Sequence, residues 1–147
     1  MHTPGHTPAF LTYITAKDAF VSDTSFMPDY RSARCDFPGG DAVVLYRSIK
    51  KVLDFAPEMR LHLCHDYPPD CRGPLWTTTV AEQRASNIHV HDGISEAEFV
   101  SMRTARDKTL TMPVLILSAV QVNVCAGKLP PPEDNGVGYL KIPVNVL

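Results

Sequence analysis

Apolar positions along this chain change period several times, and each change predicts an element. From Phe10 to Thr15 the run FLTYIT is β-branched and aromatic and predicts a strand. Asp18 to Val21 (DAFV) follows after Ala16-Lys17 and predicts the second strand of a hairpin. Residues 23–40 lack a period and end in Phe37-Pro38-Gly39-Gly40, which predicts a loop. Asp41 is a good N-cap, and Leu45, Ile49, Val52 and Leu53 then recur at helical spacing. They predict an amphipathic helix that stops before Pro57. From Arg60 to His65 the pattern alternates, with Leu61, Leu63 and His65 on one face and His62 and Cys64 on the other. This predicts a strand that delivers a histidine at its end.

Farther along, Thr79-x-x-Glu82 and Ser95-x-x-Glu98 are capping boxes. They predict helices running to about Asn87 and about Lys108, joined through a turn at Asp92-Gly93. Met112 to Leu117 is a short apolar stretch that predicts a strand or a buried loop, and the chain beyond Gly127 reads as an extended, proline-punctuated tail. No repeat or linker divides the sequence, so residues 1–147 are expected to form a single domain of α/β class, layered in the α+β manner.

Composition narrows the function classes. With 147 residues, 44% of them hydrophobic, the chain can bury a real core. A net charge of −2 without a basic stripe argues against nucleic-acid binding. Thirteen prolines, clustered at Pro68-Pro69 and Pro130-Pro131-Pro132, favour a loop-rich α/β protein over a helix bundle. Cys35, Cys64, Cys71 and Cys125 make no C-x-x-C pair and read as reduced thiols. The longest apolar stretch, Met112 to Val120, is too short to span a bilayer, and residues 1–9 do not resemble a signal peptide. A cytoplasmic protein without membrane contact is the expectation.

Candidate chemistry sits at predicted strand ends and turns. His6 lies in Pro4-Gly5-His6, a turn able to hold an imidazole rigidly. Asp23 closes one strand, and His65 closes another. Two imidazoles and a carboxylate suit Fe(II) or Zn(II). His2 shares the turn with His6, but four residues on a non-helical backbone do not stack the two rings, so it reads as facing solvent.

Taken together, the motifs resemble the metallo-β-lactamase superfamily in its persulfide dioxygenase and glyoxalase II branch. His2-Thr-Pro-Gly-His6-Thr-Pro-Ala is similar to that superfamily's third metal motif, and Ser22-Asp23-Thr24 to its Gly-Asp-Thr motif. Cys64-His65-Asp66-Tyr67 resembles the branch's His-Asp-Tyr motif, and Arg34-Cys35-Asp36-Phe37 its Arg-x-Asp-Phe segment. Thr78 to Arg84 and Gln121-Val122-Asn123 are similar to bacterial members in order and spacing. The resemblance implies an αβ/βα sandwich with a metal site between two sheets. It also implies an iron-dependent dioxygenase that converts glutathione persulfide and O₂ to sulfite, with a Zn(II) thioester hydrolase as the alternative. His6 and Asp23 would ligate iron, and His65 would match a second-metal position. Arg34 would hold a charged part of a glutathione-type substrate, and Tyr67 would offer its hydroxyl near the bound sulfur. A homo-oligomer stays open.

The sequence departs from that pattern in places. The first motif, His-x-His-x-Asp-His, does not occur. Ile88-His89-Val90-His91-Asp92-Gly93 comes nearest, but in the wrong order and with Gly93 for the last histidine, and it reads as a solvated connection. The chain is therefore expected to be the C-terminal portion of the fold, short of one metal ligand and of one sheet. A truncated enzyme inactive by itself, and a non-catalytic remnant or interaction module, both fit that expectation. The apolar faces of strands 10–15 and 60–65 would then lack a partner layer. Ser22 replaces the glycine before the metal aspartate and is expected to strain the backbone there, and Cys125 stands where relatives carry arginine.

Overall fold

A computed structural model describes residues 1–69 and 72–142 of the chain. The chain separates into two compact units, Met1–Thr109 and Leu110–Leu147.

The first unit is built on a four-stranded sheet in the order β1-β2-β3-β4. The expected hairpin is present: β1 (Tyr13–Ile14) and β2 (Asp18–Ser22) pair antiparallel. β2 then pairs in parallel with β3 (Arg60–Leu63), the crossover between them carrying α1 (Ala42–Leu53). β4 (Thr77–Thr79), which the sequence pattern did not suggest, closes the sheet antiparallel to β3.

Alternation along β2 and β3 sets what each face buries. Ala19, Val21, Leu61 and Leu63 join Leu45, Ile49, Val52 and Leu53 of α1 in one buried cluster with Val80, Val90 and Phe99. The apolar face of β3 is therefore covered, contrary to the expectation that it would lack a partner layer. The other face carries the cross-strand row Tyr13, Phe20, His62 and Thr77. Tyr13 is 69% and Phe20 49% exposed. Phe20 stacks on His62 at 4.7 Å, and the His62 Nε2–H donates to Asp18 at 2.7 Å.

All three helices of this unit start where capping chemistry predicts. Asp41 accepts from the Val44 N–H at 2.9 Å. Thr79 and Ser95 complete reciprocal capping boxes with Glu82 and Glu98, opening α2 (Val80–Ser86) and α3 (Glu96–Asp107). The segment from Ile88 to Gly93 is only in part the solvated connection expected of it, Ile88, Asp92 and Gly93 being exposed. Val90 is fully buried, and the half-buried His89 accepts the Ser32 N–H on Nδ1 at 3.0 Å. The half-buried imidazole thus supplies an acceptor to a backbone N–H of the irregular 23–40 segment.

The 23–40 segment has no regular element, as expected, but polar side chains hold it firmly. The buried Gln83 amide donates to the Phe26 carbonyl at 2.8 Å, and buried Arg103 donates to the Ser32 carbonyl at 3.0 Å. Asp107, paired with Arg103 at 2.7 Å, accepts the Cys35 N–H at 3.0 Å. Buried backbone polar groups in an irregular segment need such partners.

The second unit contains α4 (Ile116–Val124), where the sequence pattern predicted a strand or buried loop. Its first residue follows Leu115, which makes no side-chain cap, so no start signal was available. Residues 128–142 carry no helix or strand, in keeping with the extended tail expected. Among the described residues no helix is long and apolar enough to cross a membrane. Cys35, Cys64 and Cys125 are free thiols, while Cys71 lies outside the described residues.

Candidate metal centre

The site forms where β2 and β3 end side by side. Between Phe20 and Ser22 the β2–β3 register slips, a bulge that re-aims the residues following it. Ser22 takes φ 52°, in the left-handed region where a side chain costs about 1–3 kcal/mol. The strain expected at this position is thus present, and its effect is to swing Asp23 toward the end of β3. Thr24, next in line, is buried, and its hydroxyl has no hydrogen-bond partner among the described residues. A buried polar atom without a partner beside a donor cluster suits a place where water or an ion binds.

At the end of β3 the strand pattern stops at Leu63 and the chain bends at Cys64. Strict alternation would have sent Cys64 and His65 to opposite faces. The bend brings both onto one atom: the His65 Nε2–H donates to Asp23 Oδ1 at 2.7 Å, and the Cys64 thiol donates to the same oxygen at 2.8 Å. The donor atoms of Asp23, Cys64 and His65 all lie within 4.8 Å of one another. Partial desolvation, then the hydrogen bond to Asp23 and its charge, push the Cys64 thiol up to about 12. Without a cation the sulfur therefore keeps its proton.

The turn that follows is braced by charge. The carboxylate of Asp66 accepts from Arg72 Nη1 at 2.6 Å and from the Leu75 N–H at 2.8 Å. Arg72 also donates to Asp29 through Nη2 at 2.7 Å, so one guanidinium ties the 23–40 segment to the His65 turn. Those hydrogen bonds hold the Asp29 and Asp66 carboxyls below the usual range. Tyr67 reaches back over the site: its ring lies 4.8 Å from that of His65 and 5.0 Å from that of Tyr30. Phe26 contacts the His65 ring at 4.9 Å, which completes an aromatic wall. Burial, then the neighbouring Tyr30 and Asp23, raise the Tyr67 phenol, so the hydroxyl stays protonated and can donate.

His6 is not one of the three clustered donors. Gly5 takes φ 137°, and a Cβ there would fall 2.3 Å from the Leu45 backbone, so only glycine lets this turn lie on α1. The Asp41 N–H donates to the Gly5 carbonyl at 2.8 Å, and the Ser48 hydroxyl to the Pro4 carbonyl at 2.6 Å. His6 Nδ1–H donates to the Arg34 carbonyl at 2.6 Å, and its ring sits edge-on between Phe10 and Phe37. A carbonyl only accepts, so Nδ1 carries the proton and Nε2 is left as the basic, metal-binding nitrogen. Arg34 itself grips Asp36 through Nε and Nη2, both at 2.6 Å, and lies over the Phe37 ring. His2 faces solvent as expected and meets the Pro8 carbonyl at 2.7 Å.

The structure thus joins two sequence candidates, Asp23 and His65, under a third, Tyr67. It adds Cys64, which the alternation had turned away, and it ties Arg34 to His6 through a backbone carbonyl. The donors are of the right kinds for a divalent cation: carboxylate, imidazole and thiol.

No family model matches the chain. It is 58% identical to a probable metallo-hydrolase of Burkholderia pseudomallei, over 100% of the chain and 53% of that protein. Against glyoxylase B2 of Dictyostelium discoideum the identity is 53%, over 99% of the chain and 50% of that protein. Among solved structures, ETHE1 from Myxococcus xanthus superposes with a TM-score of 0.75 at 30% identity, covering 87% of this chain and 53% of that one. A metallo-β-lactamase from Staphylococcus aureus shares the fold, with a TM-score of 0.62 at 19% identity over 92% of this chain and 43% of that one.

The chain belongs to the metallo-β-lactamase superfamily. It spans about half the length of the curated relatives it matches. In this metallo-β-lactamase-type chain, the bend after β3 and the strained turn after β2 are the features that gather the donors.

Proposed function

We propose that the protein acts as a metal-dependent persulfide dioxygenase, turning a glutathione-type persulfide, O₂ and water into the free thiol and sulfite. The observation that carries this reading is the hydrogen bond from His6 Nδ1 to the Arg34 carbonyl. It ties the imidazole of the third metal motif to the Arg34-x-Asp36-Phe37 segment, which favours the dioxygenase side of the resemblance. Fixing one ring nitrogen this way presents the other to a cation.

On this reading His6 and Asp23 hold Fe(II) as two of its three protein ligands, with His65 beside them. Bound Fe(II) would supply open coordination positions at which O₂ meets the persulfide sulfur, the sulfur itself giving up the electrons that reduce O₂. The chain's own groups do the rest. Tyr67, protonated and set against His65, donates its hydroxyl to the substrate sulfur. Phe26, Tyr30 and Tyr67 wall one side of the approach. Arg34 holds Asp36 and, as the resemblance implies, is the residue for a charged part of the thiol. On this reading the third iron ligand and the second sheet would come from outside these residues.

A second reading, a glyoxalase II-like thioester hydrolase using zinc, is favoured by the likeness to glyoxylase B2. The two separate on one measurement. The longest in-frame product containing these 147 residues, loaded with Fe(II), is expected to consume O₂ and release sulfite when given glutathione persulfide. Hydrolysis of a glutathione thioester without oxygen uptake would establish the second reading in its place.

A further inference from the structure

We propose that Cys64 is a metal ligand, and that Asp23, Cys64 and His65 form a three-donor site for a thiophilic divalent cation such as Zn(II). The inference rests on the reading of Asp23 and His65 as donors, but not on any oxygen chemistry. It is not implied by the sequence motifs, which take only the histidine and the aspartate.

Geometry is the first argument. Neighbouring residues of a regular strand cannot share a ligand, yet the bend at Cys64 sets its sulfur 2.8 Å from Asp23 Oδ1, with His65 Nε2 2.7 Å from the same oxygen. Zinc–sulfur and zinc–nitrogen or –oxygen bonds of about 2.3 and 2.0 Å place tetrahedral donors roughly 3.2–3.7 Å apart. All three donor atoms already lie within 4.8 Å of one another. A cation replacing the two bridging protons needs sub-ångström to ångström-scale spreading and no change of fold. Among the described residues no other such group of three occurs.

Preorganisation and access are the second argument. The Arg72 bridge between Asp66 and Asp29 holds the turn on one side, and the strained Ser22 holds Asp23 on the other. Cys64 and His65 are both exposed, so an ion enters from solvent, and water can take the fourth position. Binding exchanges the thiol proton for a metal–sulfur bond and releases that proton to solvent, while the proton on His65 Nε2 moves to Nδ1, with no change in the oxidation state of sulfur. A thiolate among the donors biases the site toward zinc, cobalt or cadmium over Fe(II).

The test is a cobalt(II) titration of the full, metal-free 147-residue chain. The expected result is one cobalt per chain with a near-ultraviolet thiolate-to-cobalt charge-transfer band. Cys64→Ser removes the band, while serine at Cys35, Cys71 or Cys125 leaves it. Losing a partner one shell out costs roughly 10–100-fold in metal affinity, so Zn(II) binding by Cys64→Ser is expected to weaken roughly tenfold or more. Asp23→Asn and His65→Ala weaken it likewise. Because Cys64 is exposed, metal-free Cys64→Ser keeps the parent's melting midpoint, which separates ligand loss from misfolding. Cobalt bound without the band, a band that survives Cys64→Ser, or no cobalt binding at all overturns the proposal. A band without oxygen uptake by the iron-loaded protein sinks the dioxygenase reading and leaves this one standing, and the converse holds.

Discussion

A histidine nitrogen that accepts a backbone N–H cannot take a proton without losing that bond. His89 is in this position: Nδ1 accepts from the Ser32 N–H at 3.0 Å and contacts the Ser32 hydroxyl at 3.1 Å. Desolvation first, then the charges of Arg103, Arg31 and Arg106, depress the imidazole from 6.5 to about 4. The sign follows from linkage. Between pH 6.5 and about 4 the unfolded chain takes up a proton that the folded chain refuses, so the contribution is whole above 6.5 and is lost as pH falls toward 4. Asp29 and Asp66, whose carboxyls are held low, lose their contribution only below 3.8, in a separate window. Replacing His89→Asn keeps an acceptor near Nδ1 and removes the titration. Its melting midpoint is expected to fall less steeply than that of the parent from pH 6.5 to about 4. Equal slopes for the two proteins in that interval would show that His89 does not couple folding to protons.

At the scale of elements, local chemistry decides how much the sequence discloses. Asp41, Thr79 and Ser95 announce three helix starts because a cap is a contact within one turn, and all three are made. Ser95→Ala in the capping box of α3 is expected to lower stability by about 1 kcal/mol, read as a shift in denaturant midpoint at constant m-value. No measurable shift would mean that tertiary contacts alone fix the start of α3. What escapes the sequence is set over longer range. β4 exists because Thr77, Thr78 and Thr79 pair with β3, while locally the same threonines signal only a cap. α4 lacks a cap and a polar stripe, so its β-branched run reads equally well as a strand. At the site, His6, Asp23 and His65 are legible as motif residues, but Cys64 is not. Its convergence on Asp23 needs both the bulge in β2 and the bend after β3, and neither leaves a trace in a two-residue period. His89 eluded the same reasoning because only the folded 23–40 segment reveals the donor it satisfies.

For the molecule as a whole, the decisive point is where the core lies. Every residue of the buried apolar cluster belongs to the unit Met1–Thr109, and α4 contributes no buried residue. The ion pair between Arg103 and Asp107, with its bonds to Ser32 and Cys35, closes that core at its last helix. Domains of about 100 residues fold alone when most of their apolar surface is buried. The open sheet face does not contradict this, because Asp18, Arg60 and His62 lie on it and are paired among themselves. Ending the chain after Thr109 is therefore expected to leave a single cooperative unfolding transition, with stability within about 1 kcal/mol of the parent. Metal binding through Asp23, Cys64 and His65 is expected to persist in the shortened chain, because all three residues and their braces precede the cut. Loss of cooperative unfolding, measured by thermal denaturation of the two proteins side by side, would show that residues 110–147 help to make the core. Retained folding with lost metal binding would instead place a determinant of the site in the second unit, where Cys125, Glu133 and Asp134 are the donors to test.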